Sequence, residues 1–568
     1  MRYLTLRRLA SSSLLLLALL LGLTGPTAHA QAPAWQRAVA ASGDVSLVQA
    51  TVADASGNIY VAGSFEGTLG LGAVSLMSAG GPDIFVAKWS TATNAFVWAQ
   101  RAGGTAYDRA VAVAVSGSNV YLTGYFQNTG TFGSTTMQAP GSSNALFVAK
   151  LTDAGSSGSF GWAVTGGNLN GGTTSVAVSG TSVYVAGSVW GTANYGTTTL
   201  TSLGTSDAFV AKLTDAGNSG AFVWAQRCGG PGGDAATSVV ANGSSVYLTG
   251  GFYNTADFGT TNLTSVGGGD VFVAKLTDAG ATGNFVWAQR AGSTATTTDL
   301  IAGVAVNGSN LYVTGNIGGT ADFGATTLNS PSSVGGDAYV AKLVDAGPTG
   351  SFAWAVMATG PRFTAPRAVA VSGANVYVSG YFIGSSTFGG TTLTTTTGSD
   401  YDVFLTSVPD AGTSGSFAWA LKAGGANDDR ADGLAISGGS VYVGGTVAPP
   451  ASFGSLAIAT PTANAVGSLA SVRDVALPTR PAAELAGFSL APNPAHAAAT
   501  VLLPAMPGAV AATLTLRDAL GRAVRTQQVP LLATGTTAEI ALAGLAPGLY
   551  RVQVQAGGQQ ASRVLVVE

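Results

Sequence analysis

The segment VYLTG at 120–124 recurs as IYVAG, VYVAG, VYLTG, LYVTG, VYVSG and VYVGG, and its tyrosines, Tyr60, Tyr121, Tyr184, Tyr247, Tyr312, Tyr377 and Tyr442, lie 61 to 65 residues apart. Trp35, Trp98, Trp162, Trp224, Trp287, Trp354 and Trp419 keep the same count, so seven copies of one unit run from about residue 35 to 472. A third marker, DAFVAKL at 207–213, returns in five further units and decays to VGSLASV at 466–472. Between tyrosine and marker sits an aromatic followed by glycine, at Phe132, Tyr195, Phe258, Phe323, Phe388 and Phe453, with Leu69 in the first unit. A repeat at a fixed period is one supersecondary unit that buries its apolar faces against its neighbours.

Within 96–151 four runs read as strands: FVWAQR, AVAVAVS, NVYLTGYF and LFVAKL. They are rich in Val, Phe, Tyr and Thr and bounded by Gly, Ser, Asn and Asp. The tetrapeptide SGSN at 116–119 suits a tight antiparallel connection. No run holds a helical period. A four-stranded sheet of this size leans on its neighbours, and seven units fall in the range of 4 to 8 blades. The expected fold is all-β: a seven-bladed β-propeller of four-stranded blades over 31–472. The array opens with a bare copy of the Trp strand at 35–39 and closes with a decayed copy of the strand that normally precedes it. Residues 35–39 are therefore expected to complete the sheet begun near 434–472, leaving no free edge.

Only 9% of residues are charged and 81 are Gly, so small polar side chains and turns must build the surface. A net charge of -3 gives no basic footprint for nucleic acid. Arg2, Arg7 and Arg8, the apolar run LLLLALLLGL at 14–23 and the small residues AHA at 28–30 form a secretory signal peptide pattern over 1–30. The apolar run is half of the roughly 20 residues a membrane-spanning helix needs. One cysteine, Cys228, excludes an internal disulfide framework. It stands in FVWAQRCGGPGGD where the sister segments have Ala102 and Ala291, and reads as a small apolar residue.

The ordered set of DAFVAKL, a Trp strand, GG with an Asp, an alternating Val and Ala strand and VYVTG resembles the bacterial β-propeller repeats called SBBP repeats. That family is defined by fold and brings no catalytic residue with it. After a Pro and Ala linker at 473–487, residues 488–568 contain alternating strands sufficient for a small immunoglobulin-like β-sandwich. Pro492, Asn493 and Pro494 in APNP, Asp518 and Gly521 in DALGR, and Gly548 and Tyr550 in LAPGLY resemble the type A C-terminal sorting domain of the type IX secretion system of Bacteroidota. The resemblance implies passage by the Sec route and then across the outer membrane. It also implies the type IX machinery as partner and a cargo released or attached at the cell surface.

The two histidines, His29 and His496, lie outside the repeats, so no Ser-His-Asp or Cys-His arrangement can form there. Asp108, Asp234, Asp299 and Asp429 occupy one repeated position. If the strand that follows lines a central channel, these four carboxylates would crowd one mouth and bind a hard cation such as calcium. The alternative, which the sequence favours, is that each caps a turn through backbone hydrogen bonds. No other cofactor is expected. Asp153, Asp215 and Asp278 in TDAG loops, with Asp345 and Asp410, read as turn residues without a ligand role. Asp83, Asp207, Asp270, Asp337 and Asp402 read as a repeated hydrogen-bonding device. The repeated Trp and Tyr read as packing residues, and Trp190, which does not repeat, is the exception. The functional expectation is an exported binding or structural module without a catalytic site and with an unknown surface ligand, glycan or protein. The alternatives are a carbohydrate-active enzyme using axial carboxylates and a multivalent lectin.

Overall fold

The computed structural model describes residues 32–568 apart from 141–143, 169–171, 296–297, 333–334, 460–463, 475–488, 504–510, 519–522, 533–534 and 557–558. Every regular element in it is a β-strand. The chain divides between Leu477 and Pro478 into two compact units.

In the larger unit the sheet that best shows the pattern is built from Arg109–Ser116, Asn119–Phe126, Ala145–Asp153 and Gly158–Asn168, paired antiparallel in that spatial order. We call these the inner, second, third and outer strands. Gly117, in the two-residue turn between the first two, takes φ +60°, the left-handed value that such a hairpin turn demands of its first residue. The same four-strand order recurs in six other places, so seven such arrays are present among the described residues. Second and third strands are buried on both faces, because a sheet covers each side: all eight residues of Asp83–Ser90 and all seven of Ile59–Phe65 are buried. This is why DAFVAKL reads as a continuous apolar run and not as an alternating one.

Inner strands pack side by side in a closed circle. Ser46–Ala53 touches Arg109–Ser116 on one side and Arg430–Ser437 on the other, and the remaining inner strands connect in sequence between those two. The unit is thus propeller-like. Its ends meet as expected: Trp35–Ala40 is the outer strand of the last sheet, pairing Trp35 with Val472 and Ala40 with Ser468.

Each unit also contains a small hairpin that the four-strand reading overlooked, such as Thr255–Phe258 with Thr261–Thr264. Its buried aromatic, Phe258, packs on Phe272 and Phe285 with ring centroids 4.8 and 5.8 Å away. The hairpin of one unit bridges to the outer strand of the unit before it, as Gly103 does to Thr131 and Gly292 to Asp322.

In the C-terminal unit a three-stranded sheet (Ser489–Ala491, Ala498–Leu503, Thr536–Ala541) accompanies a four-stranded one (Ala523–Pro530, Ala511–Arg517, Gly548–Ala556, Gln559–Val567). Val501, Leu503 and Ile540 of the first share one apolar core with Leu514, Leu516, Val552 and Val554 of the second.

Candidate functional site

The four repeated acids Asp108, Asp234, Asp299 and Asp429 are fully buried, each in its own unit. Asp108 accepts the N–H of Gly104 at 2.6 Å and of Gln127 at 3.0 Å. Asp234 does the same with Gly230 and Tyr253, and Asp429 with Gly425 and Ala448. Asp299 takes the N–H and hydroxyl of Ser293 and the N–H of Gly318. The structure does not bring these acids together, and among the described residues no three His, Cys, Asp or Glu side chains are placed to share a metal ion. The geometry is that of a cap joining the loop before the inner strand to the end of the second strand.

Beside each cap lies a second carboxylate. Asp83, Asp207, Asp270 and Asp402 pair with Arg101, Arg227, Arg290 and Lys422 at 2.6, 2.7, 2.7 and 3.2 Å, while Oδ1 of each receives no hydrogen bond. Where Thr364 replaces the cap acid, Oδ1 of Asp337 instead accepts Gly360 N–H at 2.9 Å. Burial, with a smaller contribution from the neighbouring carboxylate, pushes the Asp108 and Asp299 carboxyls up to about 6 and Asp429 to about 7.

The TDAG acids join units. Asp153 accepts Trp98 Nε1–H at 2.9 Å, Tyr60 O–H at 2.7 Å and Lys88 Nζ at 2.5 Å, all from the preceding unit. Asp215, Asp278, Asp345 and Asp410 repeat this with Tyr121, Tyr184, Tyr247 and Tyr312 and their Trp and Lys companions. Reading these acids as plain turn residues misses their main partners, which lie 53 to 98 positions away in sequence. Although buried, Asp153 keeps its carboxyl below the usual range, because Lys88, Tyr60 and Trp98 together outweigh desolvation. Cys228 is buried beside Ala236 and Phe252 in an apolar cluster, and burial pushes its thiol up. Trp190 is 44% exposed.

The residues that do not repeat gather elsewhere. In every unit the pairing of inner and second strands skips one residue: Gln49, Val111, Thr174, Thr237, Ala302, Arg367 and Asp432. A bulge of this kind bends the strand and re-aims a side chain. Except for Thr174, whose side chain is outside the description, all of them line one cavity of about 600 Å³ enclosed by the inner strands. Opposite each bulge stands the final glycine of the VYLTG motif, and a Cβ on Gly124 would collide with the carbonyl of Arg109.

Contiguous with this channel, and sharing Gln49, Arg109, Arg367 and Asp432 with it, is a mouth of about 290 Å³ that adds Tyr381, Asp428 and Arg430. Arg367 Nε donates to Asp432 at 3.1 Å, Arg430 lies 3.6 Å from Asp428, and Arg109 reaches the amide oxygen of Gln49. Arg430 is held over the rings of Tyr381 and Tyr401, 5.2 and 5.0 Å from their centroids. None of these residues was singled out from sequence. The available signal was their departure from the repeat: Leu47, Gly172, Ala235, Leu300 and Ala365 stand where Arg109 and Arg430 do.

Asn493 ties the start of the C-terminal unit to its last strand, donating to Val564 O and accepting Val566 N–H, both at 2.8 Å. Both Pro492 and Pro494 follow cis peptide bonds. Tyr550 packs on the core and donates to Ala546 O at 2.9 Å, and Gly548 begins its strand at φ +156°. Asp518 is half-buried at the end of Ala511–Arg517, and Gly521 lies outside the described residues, as do residues 1–31.

The molecule is therefore an all-β protein that joins a propeller-like ring to a separate small β-unit. Residues 489–568 match the secretion system C-terminal sorting domain family, Por_Secre_tail. The C-terminal unit is the sorting signal of the type IX system, and the protein is a cargo of that system, secreted to the cell surface or released from it. No curated protein matches the chain. Among solved structures it is similar to a protein from Lactobacillus plantarum, at 13% identity and TM-score 0.33, covering 74% of this chain and 99% of that one. It is also similar to Trypanosoma rangeli sialidase, at 9% identity and TM-score 0.30, covering 80% and 83%. No helix among the described residues is long and apolar enough to cross a membrane.

Proposed function

We propose that the chain is a seven-bladed β-propeller of the SBBP repeat type with an immunoglobulin-like sorting sandwich, exported through the segment 1–30 from a Bacteroidota cell. At the surface the propeller serves as a binding module and not as an enzyme. The observation that carries this reading is the contrast between frame and mouth. The repeated acids are engaged by backbone amides, by neighbouring units or by an Arg or Lys on the adjacent strand, whereas the unrepeated polar residues collect around one end of the channel. A fixed scaffold with variable residues at one opening is how recognition sites are commonly carried.

A second reading, a carbohydrate-active enzyme, would draw on Asp428 and Asp432, which line the same mouth. It requires two carboxyls roughly 5 to 10 Å apart across a bound sugar. Asp432 already accepts a hydrogen bond from Arg367 Nε at 3.1 Å, so one of its oxygens is engaged within the protein. Screening the secreted protein on a glycan array, with reducing-end release measured on every ligand found, separates the two. Binding without release is expected; release abolished by Asp432→Asn would replace the binding module with a hydrolase or lyase.

A further inference from the structure

The propeller-like ring neutralises its own repeated cations. Lys88, Lys150, Lys212, Lys275 and Lys342 each face an aspartate of the following unit, and Arg101, Arg227 and Arg290 face an aspartate on the adjacent strand. At the mouth the balance differs: three guanidinium groups, Arg109, Arg367 and Arg430, meet two carboxylates, Asp428 and Asp432. Arg109 faces the neutral amide of Gln49, and its buried Nε–H has no acceptor. The pair of Arg430 with Asp428 is loose at 3.6 Å and open to solvent on both sides. Tyr381 and Tyr401, their centroids 5.0 Å apart, stand together against one side of Arg430, so the side chain is held in place and offers its edge N–H groups to the mouth.

Resting on the binding-module reading of this site, we propose that the mouth binds an acidic glycan and holds the oxyanion of one acidic sugar, a carboxylate or a sulfate ester, between Arg109 and Arg430. Guanidinium edges match both oxyanions. The two aspartates decide against a polymer with dense phosphate charge, which they would repel, and in favour of a ligand in which each charge is ringed by hydroxyls for them to accept from. At about 290 Å³ the mouth stands at the small end of ligand sites, room for one sugar and part of its neighbour. Tyr381, already in the lining, supplies a ring face or edge against which the apolar side of a sugar packs.

The test is calorimetric titration of the full secreted protein with trigalacturonate, a sulfated trisaccharide and neutral galactotriose. At least one acidic ligand is expected to bind at least tenfold more tightly than the neutral one, with affinity falling as salt rises. Preference for carboxylate or for sulfate identifies the oxyanion, and either result supports the site. Arg109→Gln is expected to weaken acidic binding at least tenfold. Arg430→Gln, at a side chain 44% exposed and thus removable without unfolding, should do the same at an unchanged melting temperature. Arg473→Gln, which removes a charge outside the mouth, should leave affinity unchanged. Equal affinity for neutral and acidic trisaccharides, or no binding of either acid, overturns the proposal. Acidic binding untouched by both mouth substitutions also overturns it while leaving the binding module standing. If no glycan of any charge binds on the array, the binding-module reading is what fails.

Discussion

Asp153 illustrates how a residue that looks local in sequence acts at long range. Its loop fixes the carboxylate by a hydrogen bond from Gly155 at 2.9 Å, as a turn would, and the remaining lone pairs then take three donors from the preceding unit. Lys88 is buried, so removing its partner strands a charge away from water. Asp153→Ala is expected to cost about 3–5 kcal/mol in denaturant unfolding, and much less when Lys88→Met is made with it. The two classes of buried acid also oppose each other in pH. Asp108, Asp299 and Asp429 have folded pKa values of about 6, 6 and 7, above the unfolded value near 4, so the folded state binds more protons in that window and their contribution to stability falls as pH rises through it. Asp153 and its four counterparts are lowered, so their contribution is complete above the unfolded value and is lost as pH drops through the folded one. Melting temperature should therefore be higher at pH 5 than at pH 7.5 and fall steeply below pH 4, and Asp429→Asn should narrow the gap between pH 5 and 7.5. Calcium at millimolar concentration should leave the melting temperature unchanged, because the cap carboxylates already accept backbone amides.

At the scale of elements, close approach between units rests on the glycine that starts the outer strands Gly158–Asn168, Gly220–Cys228, Gly283–Ser293 and Gly350–Met357, and on Gly415 ahead of Trp419–Gly425. A Cβ on Gly220 would lie 2.6 Å from the ring of Trp162, and Gly158, Gly283, Gly350 and Gly415 stand in the same relation to Trp98, Trp224, Trp287 and Trp354. Gly220→Ala is expected to destabilise by about 1–3 kcal/mol, since neither the backbone nor a packed indole can retreat, and thermal melting of the variant checks it. By contrast Gly155→Ala, where a Cβ meets nothing within 4 Å, should show only the smaller backbone cost of φ +90°. Periodicity made the strands, their order and the pairing of the two ends legible, because each follows from tyrosine and tryptophan recurring in step. The small hairpins were hidden, since TADFGTTN is short and polar and reads as a loop. The bulges were hidden for another reason: one skipped residue leaves no mark on composition. The mouth was therefore beyond reach, because Arg109, Arg367 and Arg430 belong to three units and meet only after the ring closes.

Across the whole molecule the joints are unequal. Five carry a complete Tyr, Trp and Lys set on one aspartate; the sixth has Tyr377 on Asp474 at 2.9 Å, with Ser407 where the lysine would be. At the seventh Thr91 takes the place of the aspartate and Ser471 that of the lysine, and closure falls to the pairing of Trp35–Ala40 with Val466–Arg473 and to bonds such as Gly467 N–H to Ser46 Oγ at 2.9 Å. Hydrogen exchange of the secreted protein should find its least protected amides in Ser46–Ala53 and Arg430–Ser437, the inner strands that flank this joint. Deleting residues 32–40 should open the ring there and expose the edge of Val466–Arg473 to aggregation, measurable by light scattering.

That joint also sets a timetable. Residues 35–40 leave the ribosome early, yet their partners at 466–473 come more than four hundred residues later, immediately ahead of the segment that leads to the sorting domain. Until then the first strand has no home. The address read by the outer-membrane machinery is thus synthesised only after the last piece needed to shut the ring, so order of synthesis places completion of the cargo before presentation of its label.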